Sequence, residues 1–67
     1  MTERDIETIL GLAANRMNPT KTAKAMFMNR GTVVYHIEKI KRITGLDATD
    51  FYDLCKLLHM VNERRTT

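Results

Sequence analysis

The sequence predicts an all-α fold, a small four-helix domain built on a helix-turn-helix. Three observations carry this. Between Thr20 and Thr44, the apolar residues Ala23, Met26, Met28, Val33, Ile37 and Ile40 recur at the spacing that lets two crossing helices share one core. Helix punctuation falls where such a motif needs it: Asn18-Pro19 before a short helix, Asn29 before a longer one, Gly45 after it. No segment alternates apolar and polar residues as a strand would, and there are no repeats or low-complexity tracts.

A chain of 67 residues has room for one domain. Residues 1–67 are read as a single helix-turn-helix domain, with the motif at about 19–44 and a C-terminal helix at about 49–63. A domain this small buries only about 60% of its unfolded surface, so its stability is marginal without help. The single cysteine, Cys55, excludes an intrachain disulfide and a Cys-rich metal site, and it fits a reducing compartment. No apolar run approaches the ~18–20 residues of a membrane span, and the N-terminus lacks the apolar core of a signal peptide. The expectation is a cytoplasmic chain with no membrane partner.

The first helix is expected from residue 3 to about 16, with Thr2 as its cap. Glu3, Asp5 and Glu7 suit the positive end of its dipole. Ile6, Ile9, Leu10 and Ala13 mark its buried face. Gly11 weakens it by roughly 1 kcal/mol relative to alanine, and close packing against another helix is the simplest reason for it. The second helix starts at Pro19 or Thr20 and runs to about Met26, with the small Ala23 at the crossing. Phe27-Met28-Asn29 is the turn, and Asn29 caps a third helix from Arg30 to about Thr44. At ~100° per residue, Val33, Ile37, Ile40, Thr44 and Ile43 make its core stripe, with His36 on the edge. Gly45 stops it, and Lys41 and Arg42 sit in the last turn where cations are favoured. Asp47 or Thr49 is the expected cap of the fourth helix. Its stripe is Phe51, Leu54, Leu57, Leu58 and Val61, with Cys55 beside it, and Arg64 to Thr67 are expected to fray.

Charge is distributed unevenly along the chain. Residues 1–15 set Arg4 against Glu3, Asp5 and Glu7, a net −2. Residues 16–45 set Arg16, Lys21, Lys24, Arg30, Lys39, Lys41 and Arg42 against Glu38 alone, a net +6. Residues 46–67 return to −1. A basic motif between mildly acidic flanks points to a polyanion, and double-stranded DNA is the partner expected of a helix-turn-helix. The arc of the third helix opposite its core stripe carries Gly31, Thr32, Val34, Tyr35, Glu38, Lys39, Lys41 and Arg42. Arg30 opens that helix, where recognition helices meet base edges, and arginine bidentate to guanine is the commonest specific contact. Val34 suits a thymine methyl, Tyr35 offers a hydroxyl, and Gly31 lets the helix approach closely. Thr32, Lys21, Lys24, Lys39 and Arg42 are read as phosphate contacts, which set register and supply affinity.

Catalytic chemistry is not expected. His36 and His59 lie on different helices with no ligand set around them, and His36 reads as a partly buried packing or phosphate-binding residue. Cys55 has no neighbouring base and reads as a structural thiol. Asp47, Asp50 and Asp53 sit at a helix start, where acids are favoured, and lack the calcium-loop spacing. No metal, cofactor or small-molecule effector is evident.

The stretch from Thr22 through Ile40, followed by Thr44-Gly45-Leu46-Asp47, resembles the C-terminal DNA-binding domain of PucR/CdaR-type bacterial regulators. The resemblance rests on Thr22, Ala23, Phe27, Arg30, Thr32, Val33, Tyr35, Ile37, Lys39 and Ile40, then the Thr-Gly-Leu-Asp run before a leucine-rich last helix. It implies sequence-specific DNA binding and control of transcription, typically as a dimer. Two positions depart from the family pattern: Gly31 stands in place of an asparagine and His36 in place of an arginine. The family's usual upstream sensory region does not precede the motif, so the sequence reads as a free-standing protein of phage or mobile-element type or as an excised domain. Two other readings stay open. One is a helix-turn-helix that has become a protein-interaction module, with Val34 and Tyr35 as its patch. The other is a DNA packaging or recombination accessory with little sequence preference.

Overall fold

The computed structural model describes residues 1–66. Four helices follow in order: α1 (Glu3–Ala14), α2 (Pro19–Ala25), α3 (Arg30–Thr44) and α4 (Phe51–Thr66). There is no strand among the described residues, so the all-α helix-turn-helix expectation holds. α1 is the hub, packing against α2, α3 and α4, while α2 and α3 pack on each other. α4 docks on α1 and leaves α3 uncovered on its far side.

Local signals account for the helix starts. At α1, Thr2 and Asp5 form a capping box: the Asp5 amide donates to Thr2 Oγ1 at 3.3 Å and the Thr2 amide to Asp5 Oδ2 at 2.9 Å. At α2, Asn18 Oδ1 accepts from the Lys21 amide at 3.0 Å, with Pro19 in the first turn where its missing N–H costs nothing. α3 begins after Asn29, whose side chain makes no capping bond. The cap of α4 is Asp50, whose Oδ2 accepts from the Asp53 amide at 3.1 Å, rather than the expected Asp47 or Thr49. Asp47 instead folds the preceding loop, accepting from the Thr49 amide and hydroxyl, and Asp53 accepts from the Asp47 amide at 3.0 Å. All three aspartates therefore serve the backbone of one turn.

The ends follow the same logic. Gly45 adopts φ +78° and donates its N–H to Lys41 at the end of α3. α1 stops at Ala14, short of the expected residue 16, because Arg16 and Met17 turn left-handed and the Met17 amide reaches back to Leu12 at 2.7 Å. α4 runs to Thr66, past the expected end near Glu63. Of the residues expected to fray, Thr67 lies outside the described residues.

The core is Ile6, Ile9, Leu12, Ala23, Val33, Ile37, Ile40, Ala48, Leu54, Leu57 and Val61. Most of the expected stripes appear in it, with four corrections. On α1 the buried arc also takes in Leu12, Thr8 and Asp5, because three helices pack on it, while Ala13 is exposed. Ile43 is 54% exposed, since α4 does not close over that flank of α3. Phe51 is 59% exposed at the first position of α4, edge-on to Tyr52. Cys55 is exposed, about 160° around α4 from Leu57 at ~100° per residue, and is not a packed structural thiol.

Gly11 has the reason expected of it. A methyl group there would lie 2.8 Å from Met26 Sδ and 2.9 Å from Thr22 Cγ2, so α1 and α2 cross on the bare backbone. The Gly11 carbonyl also accepts from the Thr22 hydroxyl at 3.4 Å.

Candidate nucleic-acid interface

The α2–α3 turn positions the outer face of α3. Met26 ends α2, Phe27 takes φ +56°, and the Phe27 and Met28 amides donate back to the Lys24 and Ala23 carbonyls at 3.2 and 2.8 Å. This is the Schellman closure, with phenylalanine at the left-handed position usually held by glycine. The chain then reverses within Phe27–Asn29, and Val33, Ile37 and Ile40 point inward against α1 and α2. Burying that stripe leaves the opposite arc of α3 facing out.

Seven of the nine expected contact residues are exposed: Lys21, Lys24, Arg30, Gly31, Thr32, Tyr35 and Arg42. Val34 is half-buried. Lys21 and Lys24 lie on the exposed side of α2, next to the turn that leads into Arg30. Unlike Gly11, Gly31 has nothing within 4 Å of where a Cβ would stand, so the fold does not need a glycine there. No carboxylate occurs in the sequence between Glu7 and Glu38. The arrangement can present a guanidinium, a hydroxyl and a phenol from one helix end, flanked by ammonium groups, to an extended anion.

Lys39 stands apart from the others. Its side chain is half-buried and its ammonium lies 3.2 Å from Oδ2 of Asp5, whose own side chain is fully buried. His36 is also buried, and its Nδ1 lies 2.8 Å from Asp5 Oδ1; an ionised carboxylate can only accept, so Nδ1 carries the proton and donates. The His36 ring meets the Tyr35 ring edge-on, with centroids 5.2 Å apart. Burial would raise the Asp5 pKa, but bonds from the Thr2 amide, His36 and Lys39 outweigh it and bring the value from 3.8 to about 2. Sequence reasoning read Asp5 only as a helix-dipole residue. The missed signal was its phase: Asp5, Thr8 and Leu12 share a face at i, i+3 and i+7.

His59 lies exposed on α4 and pairs with Glu63 at 3.0 Å, far in sequence from the α3 face. No helix among the described residues is long and apolar enough to cross a membrane.

Two helices joined by a tight turn, braced by a third and carrying an outward basic face, define a helix-turn-helix domain. The sequence profile of the PucR C-terminal helix-turn-helix domain matches residues 5–61, and the chain belongs to that family. It is similar to the carbohydrate diacid regulator of Escherichia coli (strain K12), at 35% identity over 46 residues. That alignment covers 69% of this chain and 12% of the regulator, so the chain corresponds to a small part of that protein's length. No solved structure matches it. The family is one of regulatory DNA-binding domains, which is the level at which the chain's role is established.

Proposed function

We propose that this domain binds double-stranded DNA in a sequence-dependent way, with α3 in the major groove, and so regulates transcription. The observation that carries the reading is the exposed arc from Arg30 to Arg42, with Lys21 and Lys24 beside it, on a helix whose inner face is committed to the core. Arg30, Val34 and Tyr35 read base edges. Lys21, Lys24, Thr32 and Arg42 hold phosphates. Gly31, with nothing near the place where a Cβ would stand, admits the DNA close to the helix backbone. Lys39 is left out of this set because its ammonium is already paired with Asp5. The setting is the cytoplasm. The helix-turn-helix acts through binding and not as an enzyme.

A homodimer follows as a second part of the proposal. α4 packs on α1 through Leu54, Leu57 and Val61, which leaves Tyr52 exposed on the opposite face and Phe51 and Met60 exposed on the two flanks. A second copy on that face would set two α3 helices on one duplex with two-fold symmetry. Sedimentation that stays monomeric at high concentration, with and without DNA, would remove the dimer.

The test of DNA binding is selection from a pool of random duplexes at two salt concentrations, followed by sequencing. An enriched motif establishes sequence-dependent binding, and half-sites about 10 base pairs apart would report the dimer geometry. Salt-sensitive retention without a motif favours packaging or recombination. An absence of retention at low salt favours the protein-interaction reading.

A further inference from the structure

Asp5 is fully buried, lies on α1, and has no place on the outer face of α3. Its two oxygens nevertheless take one hydrogen bond from its own helix start and two from α3. Oδ2 accepts from the Thr2 amide at 2.9 Å and from Lys39 at 3.2 Å, and Oδ1 accepts from His36 at 2.8 Å. His36 and Lys39 are three residues apart, so they stand one above the other on the same edge of α3. A single carboxylate therefore grips that helix at two successive turns. Rotating α3 by the angle of one residue would break at least one of the two bonds. The grip reaches the outer face through the edge-on contact between His36 and Tyr35. It also holds an ammonium inward, next to a charge that cancels it.

We propose that Asp5 is the positioning residue of the DNA-binding face: it sets the rotation of α3 and withholds Lys39 from phosphate. The inference rests on the DNA-binding reading and adds to it a competition between an internal carboxylate and the DNA backbone for one cation. A carboxylate that only stabilised the fold would leave the salt dependence of binding unchanged, so salt dependence is the readout.

The experiment compares the native chain with Asp5→Asn, Lys39→Gln and the double variant, each checked for helicity by circular dichroism. Binding to a duplex is measured over a range of salt. Each phosphate engaged adds about 0.9 to the steepness of log affinity against log salt. Lys39→Gln is expected to keep the native slope, Asp5→Asn to steepen it by about one phosphate, and the double variant to return it to the native value. Asp5→Asn should also blunt sequence preference, since α3 is no longer held in one rotation. A native slope flattened by Lys39→Gln alone would overturn the proposal, as would Asp5→Asn leaving both slope and preference as they were. Should Asp5→Asn fail to fold, or the native chain bind no DNA at low salt, the Asp5 carboxyl carbon is titrated by NMR in the native chain and in Lys39→Gln. A midpoint that rises in the variant supports the grip, and an unmoved midpoint refutes it. Loss of all DNA binding is then charged to the DNA-binding reading and not to the grip.

Discussion

At the scale of single residues, Gly31 and Arg30 separate what the fold needs from what the function needs. A methyl at Gly31 enters open space, so Gly31→Ala should stabilise the domain by about 0.5 kcal/mol through helix propensity. The same methyl stands where the duplex would approach, so affinity for DNA should fall. Thermal melts and binding titrations on one sample would show the two effects with opposite signs, and a variant that binds as well as the native chain would put Gly31 away from the duplex. Arg30→Ala should leave stability nearly unchanged, because the side chain is exposed at the start of α3. It should cost roughly 1–3 kcal/mol on the preferred sequence and relax the preference. Equal loss on every sequence would make Arg30 a phosphate contact.

At the scale of elements, the crossing of α1 on α2 and the turn between α2 and α3 respond oppositely to substitution. Gly11→Ala forces a methyl into Met26 and Thr22, and the overpacking outweighs the gain in helix propensity. The expected cost is about 1–2 kcal/mol, read from the midpoint of urea unfolding. Phe27 is the reverse case. Its ring is 98% exposed and its backbone is left-handed, so the side chain contributes no packing and the backbone is strained. A left-handed residue with a Cβ costs roughly 1–2 kcal/mol, while glycine costs about 0.5–1 kcal/mol in chain entropy. Phe27→Gly should therefore leave the domain as stable as before or up to about 1.5 kcal/mol more stable. A loss of stability would mean that the ring packs where the structure shows it exposed.

At the scale of the whole molecule, the Asp5 carboxylate ties α1 to α3 through His36 and Lys39. Asp5 has its pKa lowered to about 2 in the folded chain, against 3.8 ordinarily. Because the folded value is the lower one, the stabilisation is complete above about pH 4 and is lost as pH falls through about 2. It amounts to about 2 kcal/mol, a large share of what a domain this small can hold. Denaturant midpoints measured from neutral to acid pH should fall across that window, and Asp5→Asn should start less stable and show a shallower fall. An identical fall in the variant would assign the acid sensitivity to other carboxylates, Asp47 among them, whose pKa is lowered by its bonds from Thr49.

The sequence by itself determined the fold class, the boundaries of α3 at Arg30 and Thr44, the cap at Asn18, the closure at Gly45 and the inward set Val33, Ile37 and Ile40. These are short-range matters. A cap bonds an amide two or three residues away, and a helix stripe repeats every three or four residues, so both are written in neighbouring letters. The cationic arc opposite the stripe was legible for the same reason, since it is the remainder of the helix once the stripe is known. Only the tertiary structure decided which polar side chains went inside and which apolar ones stayed out. Asp5 and Thr8 are buried because α1 is covered on several sides, and His36 because Asp5 meets it from across a helix interface. Ile43 stays exposed because α4 chose α1 as its partner and left that flank of α3 open. How far burial extends around a helix depends on what arrives from elsewhere in the chain, and a local pattern marks a face without recording how many partners cover it. Lys39 shows the consequence: counted from the sequence it is one more outward cation, and in the folded chain it answers to a carboxylate 34 positions earlier.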